Sequence, residues 1–185
     1  MVDFFRYYYW VYFTTPIKML IEKVILVDFN NQELGGEEKL VVHQKWLLHR
    51  AFSIFIFNSK HELLLQQRAV TKYHSDSLWS NTVCGHPRPG ESTQEAASRR
   101  LHEEMEIECD LKEMGSFMYK AELENGLSEH EYDTVFIGIY DDEYRANPAE
   151  IMNTHWISSE ELQTDMASHP EKYSVWLGLA LELIT

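Results

Sequence analysis

Residues 85–104 read Gly85-His86-Pro87-Arg88-Pro89-Gly90-Glu91-Ser92-Thr93-Gln94-Glu95-Ala96-Ala97-Ser98-Arg99-Arg100-Leu101-His102-Glu103-Glu104. Ser92-x-x-Glu95 is a capping box, in which the serine oxygen accepts from the third backbone N–H and the glutamate returns the bond. It opens a helix predicted to run to about Met105. Ala97, Leu101 and Met105 share one apolar stripe, while Glu95, Arg99, His102 and Glu106 take the opposite side. Glu104 falls within about 20° of Ala97 by the same 3.6-residue period, with Arg100 one turn earlier. A carboxylate on the inward face is costly unless paired or metal-bound. An Arg100–Glu104 helix pair, worth about 0.2–0.5 kcal/mol, is the plain explanation. A metal-binding or catalytic Glu104 is the sharper one, and the surrounding residues favour it.

Working outward, Lys23–Phe29 reads as a strand, and Asn30-Asn31 with Gly35-Gly36 as turn chemistry. Ala51–Asn58 and Glu62–Gln66 form two apolar runs around Ser59-Lys60-His61, a predicted hairpin. Phe117–Glu124 and Glu129–Tyr140 are predicted antiparallel strands around Asn125-Gly126, a strong turn signal. Met152–Ile157 is a short strand, Ser158-x-x-Glu161 caps another helix, Pro170 breaks it, and Ser174–Ile184 is a final apolar helix. With strands outnumbering the helices that fall between them, one α/β domain with a mixed sheet between helices fits best.

At 185 residues a single core buries enough surface to need no disulfide or structural metal for folding. The chain is 44% hydrophobic and 25% charged, which rules out disorder. Two cysteines, Cys84 and Cys109, build no disulfide framework, so a reducing, cytoplasmic location is expected. Sixteen basic against thirty acidic residues give a net charge of −14, which excludes non-specific nucleic-acid binding. A phosphorylated substrate would require clustered cations or recruited metal ions.

Residues 1–18 are rich in aromatics (Phe4, Phe5, Tyr7, Tyr8, Tyr9, Trp10, Tyr12, Phe13) and precede a second methionine, Met19. They are too short, and too interrupted by Arg6 and Pro16, to span a membrane, and they lack the regions of a signal peptide. They read as an extension to a domain over 19–185. An aromatic arm that touches lipid or a partner is the alternative.

Gly85-x5-Glu91-x7-Arg99-Arg100-Leu101-His102-Glu103-Glu104 resembles the Nudix box, Gly-x5-Glu-x7-Arg-Glu-U-x-Glu-Glu-x-Gly-U, with U aliphatic. That resemblance implies a Nudix-like α/β/α sandwich whose loop–helix–loop presents carboxylates to divalent cations. Arg100 stands where the box has Glu, and Glu106 where it has Gly. The first change removes a carboxylate of the hydrolytic metal site. Asn81-Thr82-Val83-Cys84-Gly85-His86-Pro87 is similar to the cysteine motif of the type I isopentenyl-diphosphate isomerases, a Nudix-fold family. Glu129-His130-Glu131, His49-Arg50-Ala51-Phe52-Ser53 and Arg68-Ala69-Val70-Thr71-Lys72 resemble three further motifs of that family, in order, over about Val24 to Trp176.

In a strand, Glu129 and Glu131 share one face, where two like charges are unfavourable without a cation between them. His43, His49 and His86 would complete a site of three imidazoles and two carboxylates, where the resemblance implies a metal, and that donor set suits zinc, manganese or iron better than calcium. The resemblance implies Mn²⁺ or Zn²⁺ (or Mg²⁺) there, and a Mg²⁺ held with the substrate by Glu104 and the Cys84 backbone carbonyl. His61, His74, His102, His155 and His169 have no partner pattern and are expected at the surface. Lys39, Arg68, Lys72 and Arg100 match the family's diphosphate-contacting positions. Cys84 is the candidate acid/base, opposed by Glu131 with Tyr119 beside it, and Trp176 would turn its ring to a carbocation. Glu131 is the expected donor to C4 and Cys84 the acceptor from C2. Cys109 is expected to be structural.

The function implied is isomerisation of isopentenyl diphosphate to dimethylallyl diphosphate. The partner is a small diphosphate, with no nucleic acid and no membrane span; the sequence sets no oligomeric state, and a monomer is compatible with it. A Nudix pyrophosphohydrolase is the alternative, and a catalytically dead binding module is disfavoured because Cys84, Glu129 and Glu131 are all present.

Overall fold

In the computed structural model, which describes residues 22–184 apart from Tyr73, the apolar run expected as a strand becomes β3 (His49–Phe57). Its side chains alternate between two cores, as strand geometry requires. Phe52, Ile54 and Ile56 pack with Leu64, Val83 and Phe136 under Ala97, Leu101 and Met105 of α2 (Thr93–Met105). Phe55 packs with Leu63, Leu65 and Val135 against Leu162 of α3 (Ser159–Ser168) and Leu177 and Ala180 of α4 (Val175–Leu181). Each fully buried Phe, Ile or Leu is worth roughly 1.5–3 kcal/mol. The sheet is thereby covered on both faces, giving the α/β/α sandwich with a mixed sheet that the sequence predicts.

The remaining strands are β1 (Lys23–Val27), β2 (Glu33–Glu38), β4 (Leu63–Arg68), β5 (Trp79–Ser80), β6 (Val83–Gly85), β7 (Lys112–Glu122), β8 (Ser128–Ile139) and β9 (Ile151–Ile157). β8 lies parallel to β3, with His49 beside Glu131 and Phe57 beside Ile139. β6 pairs antiparallel with β3, which sets Cys84 beside Ser53. β7 and β8 form the expected antiparallel pair, and Asn125 and Gly126 at their turn take positive φ (59° and 71°). The capping box of α2 forms as expected from Ser92 and Glu95. A second one, from Ser158 and Glu161, opens α3.

Two local features differ from the sequence reading, the Gly35-Gly36 turn and an added helix. Gly35-Gly36 lies inside β2, not in a turn. A Cβ on Gly36 would come within 3.1 Å of Pro89 Cγ, so the glycine admits the loop that leads into α2. The predicted hairpin of β3 and β4 forms, with Phe57 paired to Leu63 and the turn closed by Asn58 N–H donating to the Glu62 carbonyl at 3.0 Å. Beyond it β6 takes the place beside β3, and β9 pairs along β4. A helix not anticipated, α1 (Lys39–Lys45), follows β2. The N-terminal extension, residues 1–18, lies outside the described residues. Among those described, no helix is long and apolar enough to cross a membrane.

Candidate active site

Three neighbouring segments bring histidines to the end of β8. α1 carries His43, the start of β3 carries His49, and the loop after β6 carries His86. Glu129 and Glu131, two residues apart on β8, point into the same cavity, of about 290 Å³. His86 Nε2 lies 2.8 Å from Glu131 Oε1 and 3.2 Å from His49 Nε2, which is itself 3.5 Å from that oxygen. His43 Nε2 lies 3.2 Å from Glu129 Oε2. The other nitrogens of two rings are spoken for. His43 Nδ1 donates to the Lys39 carbonyl at 2.7 Å, and His49 Nδ1 to the Leu47 carbonyl at 2.9 Å. A carbonyl only accepts, so in each neutral ring the proton sits on Nδ1 and Nε2 presents a lone pair.

Lone pairs and carboxylate oxygens therefore converge on one point, an arrangement that repels itself unless a cation fills it. Burial pushes the imidazoles of His43 and His86 below their ordinary value, which keeps them in the neutral, ligating form. Burial, and then the charge of Glu131, pushes Glu129 well above the usual carboxylate range. Burial acts the same way on Glu131, but the neighbouring imidazoles of His49 and His86 outweigh it and hold that carboxyl well below the range. The donor set, with ring orientations fixed from behind by backbone carbonyls, fits a divalent first-row metal ion.

His74 departs from expectation. It is not at the surface but buried, with Nε2 3.3 Å from Glu129 Oε1. Burial, followed by the charge of Arg68, lowers its imidazole to about 3. His61, His102, His155 and His169 are exposed as expected. Asp133 continues the run of Glu129 and Glu131 on the same face, is buried, and accepts from Ser53 Oγ at 2.8 Å. The two-residue period of β8 carried that signal, whereas the sequence around His74 carried none.

The same cavity is lined by Cys84, Tyr119, Glu131 and Trp176. The Tyr119 hydroxyl donates to Glu131 Oε2 at 2.7 Å. Burial pushes the Cys84 thiol up to about 12, against the pull of Arg68, whose Nη1 is 3.8 Å from the sulfur. A Cβ on Gly85 would approach Phe52 Cζ to 3.2 Å, so the residue after the cysteine lets the strand close on the core. Trp176 is buried and donates Nε1–H to Asn81 Oδ1 at 3.1 Å. Its ring already faces a cation, the Arg68 guanidinium, 5.3 Å from the ring centroid.

The four expected diphosphate-binding cations all line this cavity. Lys39 pairs with Glu22 at 3.2 Å. Lys72 pairs with Glu150. Arg100 bonds Glu104, Glu103 at 3.0 Å and Glu150 at 3.3 Å. Arg68 instead donates to the backbone carbonyls of Ser75 (2.9 Å) and His74 (3.2 Å). Glu104 is buried as the helix period predicts, its carboxyl is raised by burial, and its Oε2 has no hydrogen-bond partner. The plain and the sharp explanations of Glu104 thus coexist: one oxygen pairs with Arg100 and the other is orphaned. Arg99 holds Glu91 through two bonds of 2.6 and 2.8 Å, which ties the entry loop to α2. Cys109 is partly buried against the core under α2, as a structural residue would be.

Residues 47–177 match the NUDIX domain family. The chain is similar to Isopentenyl-diphosphate Delta-isomerase 2 of Photorhabdus laumondii, 49% identical over 84% of this chain and 88% of that one. It is also similar to Isopentenyl-diphosphate Delta-isomerase 2 of Aromatoleum aromaticum, 47% identical over 88% of this chain and 86% of that one. Among solved structures it superposes on DR0079 from Deinococcus radiodurans, with a TM-score of 0.72, 21% identity, and coverage of 88% of this chain and 98% of that one.

Proposed function

The chain belongs to the isopentenyl-diphosphate Delta-isomerase family, built on a NUDIX domain, and from that membership we infer how its cavity works. It is an isomerase that moves the double bond of isopentenyl diphosphate to give dimethylallyl diphosphate, a 1,3-allylic rearrangement that supplies isoprenoid precursors. The substrate alkene is a poor base. A proton added at C4 leaves a tertiary carbocation at C3, and loss of a proton from C2 forms the new double bond, so no net proton is consumed.

Glu131 is the donor to C4, and Tyr119 fixes the orientation of its carboxyl. Glu129 is pushed up and Glu131 held down, so the pair's proton rests on Glu129 and must pass to Glu131 before this step. Cys84 accepts the proton from C2. Its thiol must first lose its proton to solvent, and Arg68 is a group beside it that favours the thiolate. Trp176 offers its π face to the C3 cation, a contact worth about 2 kcal/mol when desolvated. The rest of the apolar wall keeps water from trapping that cation. Lys39, Arg68, Lys72 and Arg100 hold the diphosphate, which displaces the carboxylate partners of Lys39, Lys72 and Arg100.

His43, His49, His86, Glu129 and Glu131 would hold one ion, Mn²⁺, Zn²⁺ or Mg²⁺, and Glu104 with the Cys84 carbonyl a Mg²⁺ carried by the diphosphate; these ions supply positive charge that neutralises carboxylates and phosphates. A cytoplasmic location is part of this reading, since a reducing environment would keep Cys84 and Cys109 as free thiols. Residues 1–18 are proposed as an extension to the domain at 19–185.

The observation that supports this reading most is a free thiol and a hydrogen-bonded Tyr–Glu couple lining the same cavity as four cations. A pyrophosphohydrolase is less supported, because Arg100 occupies with a cation the position where hydrolysis needs a carboxylate. Incubation with isopentenyl diphosphate and Mg²⁺ tests the choice. Dimethylallyl diphosphate is the expected product, and release of inorganic phosphate would favour the hydrolase.

A further inference from the structure

Four imidazoles, not three, face the two buried glutamates. His74 reaches them from the loop between β4 and β5 and is 5% exposed. Glu129 is bracketed: His43 Nε2 stands 3.2 Å from Oε2, and His74 Nε2 stands 3.3 Å from Oε1. The His43 and His74 rings stack at 5.7 Å between centroids, with 28° between their planes. One nitrogen of each ring and one oxygen of Glu129 lie within 4.8 Å of one another. His43 belongs equally to the group formed with His49, His86 and Glu131. The two sets are therefore continuous around a single imidazole.

The loop that brings His74 here is held from inside the protein. Arg68, itself 6% exposed, donates from Nη2 to the His74 carbonyl at 3.2 Å and from Nε to the Ser75 carbonyl at 2.9 Å. A surface histidine folded in by chance would not be pinned through its own backbone, and burying an imidazole is costly unless its polar atoms are engaged.

We propose that His74 is a fourth imidazole ligand of the cation site, entering through the His43–His74–Glu129 set and biasing the site toward first-row transition metals over Mg²⁺. Nitrogen donors favour the later first-row ions, whereas Mg²⁺ prefers oxygen and water. The proposal rests on the reading that the imidazole–carboxylate cluster holds a cation, and it goes beyond that reading by adding a ligand and a selectivity.

The test uses the full chain stripped of metal, titrated with Co²⁺ and separately with Mg²⁺. The unaltered protein is expected to bind Co²⁺. His74→Ala should weaken Co²⁺ at least about tenfold, shift its visible absorption bands, and change Mg²⁺ affinity far less. If His74→Ala binds Co²⁺ with unchanged affinity and an unchanged spectrum, the proposal is overturned while the cation site stands. If the unaltered protein binds no Co²⁺, both fall. A second measurement needs no variant: proton NMR of the Co²⁺-loaded protein should show four paramagnetically shifted imidazole rings, and three would overturn the proposal.

Discussion

Tyr119 and Glu131 sit directly opposite each other in the β7–β8 register, and the Tyr119 hydroxyl donates to Glu131 Oε2 at 2.7 Å. Strand pairing thus fixes one oxygen of the proposed donor while His86 fixes the other at 2.8 Å. The carboxyl has no freedom to swing. Tyr119→Phe removes the first of these bonds without changing the ring's packing. We expect kcat to fall about a hundredfold, at the lower end of what positioned acid–base groups contribute, with KM and metal content near normal. Steady-state kinetics with metal analysis checks this, and an unchanged kcat would remove Tyr119 from the account.

Burial sets the reactivity of the proposed acceptor. The Cys84 thiol lies at about 12, above an ordinary value of 9.0, so only a small fraction is thiolate at neutral pH. Because the thiolate is the reactive form, alkylation of Cys84 in the substrate-free protein should rise about tenfold per pH unit from pH 7 to 10, following the ionised fraction. Mass spectrometry of the labelled peptide separates it from Cys109. A plateau near pH 9 would mean that the thiol is unperturbed.

Convergent imidazole lone pairs and carboxylates repel one another when no cation lies between them. Metal should therefore stabilise the fold by mass action, by about 2.7 kcal/mol at a hundredfold excess over Kd. For a chain of this size that corresponds to a rise in Tm of about 5–10 °C. Thermal unfolding with and without a chelator measures it. Equal Tm values would mean that the cluster binds no ion.

The final residue of the quoted motif's departure is a matter of backbone. Glu106 caps α2 in the left-handed region at φ 52°, where the Nudix box has glycine. A side chain there costs about 1 kcal/mol, and its ion pair with Arg145, 3.9 Å and exposed, returns little. Glu106→Gly should raise Tm by about 2–4 °C with activity unchanged. Differential scanning calorimetry would show otherwise if the left-handed cap carries no cost.

Much of the site was legible because its chemistry sits on regular elements. The capping box fixed the register of α2, and that register put Glu104 inward. The two-residue period of β8 put Glu129 and Glu131 on one face, and would have added Asp133. His74 was not legible, because what buries it is a guanidinium from a different strand reaching back to the loop's carbonyls. α1 escaped notice because it is seven residues long and its N-cap, Glu38, makes no side-chain capping bond. The β3–β4 hairpin was legible from its turn, whereas the pairing of β6 along β3 and of β9 along β4 is long-range and leaves no local signal.

The most direct test follows solvent hydrogen through turnover in D₂O with isopentenyl diphosphate and Mg²⁺. The unaltered protein should place one deuterium in the new methyl group of dimethylallyl diphosphate. Cys84→Ala and Glu131→Gln should each abolish both isomerisation and label, with metal content retained in the Cys84 variant. Isomerisation persisting in both variants would contradict proton transfer by these two groups.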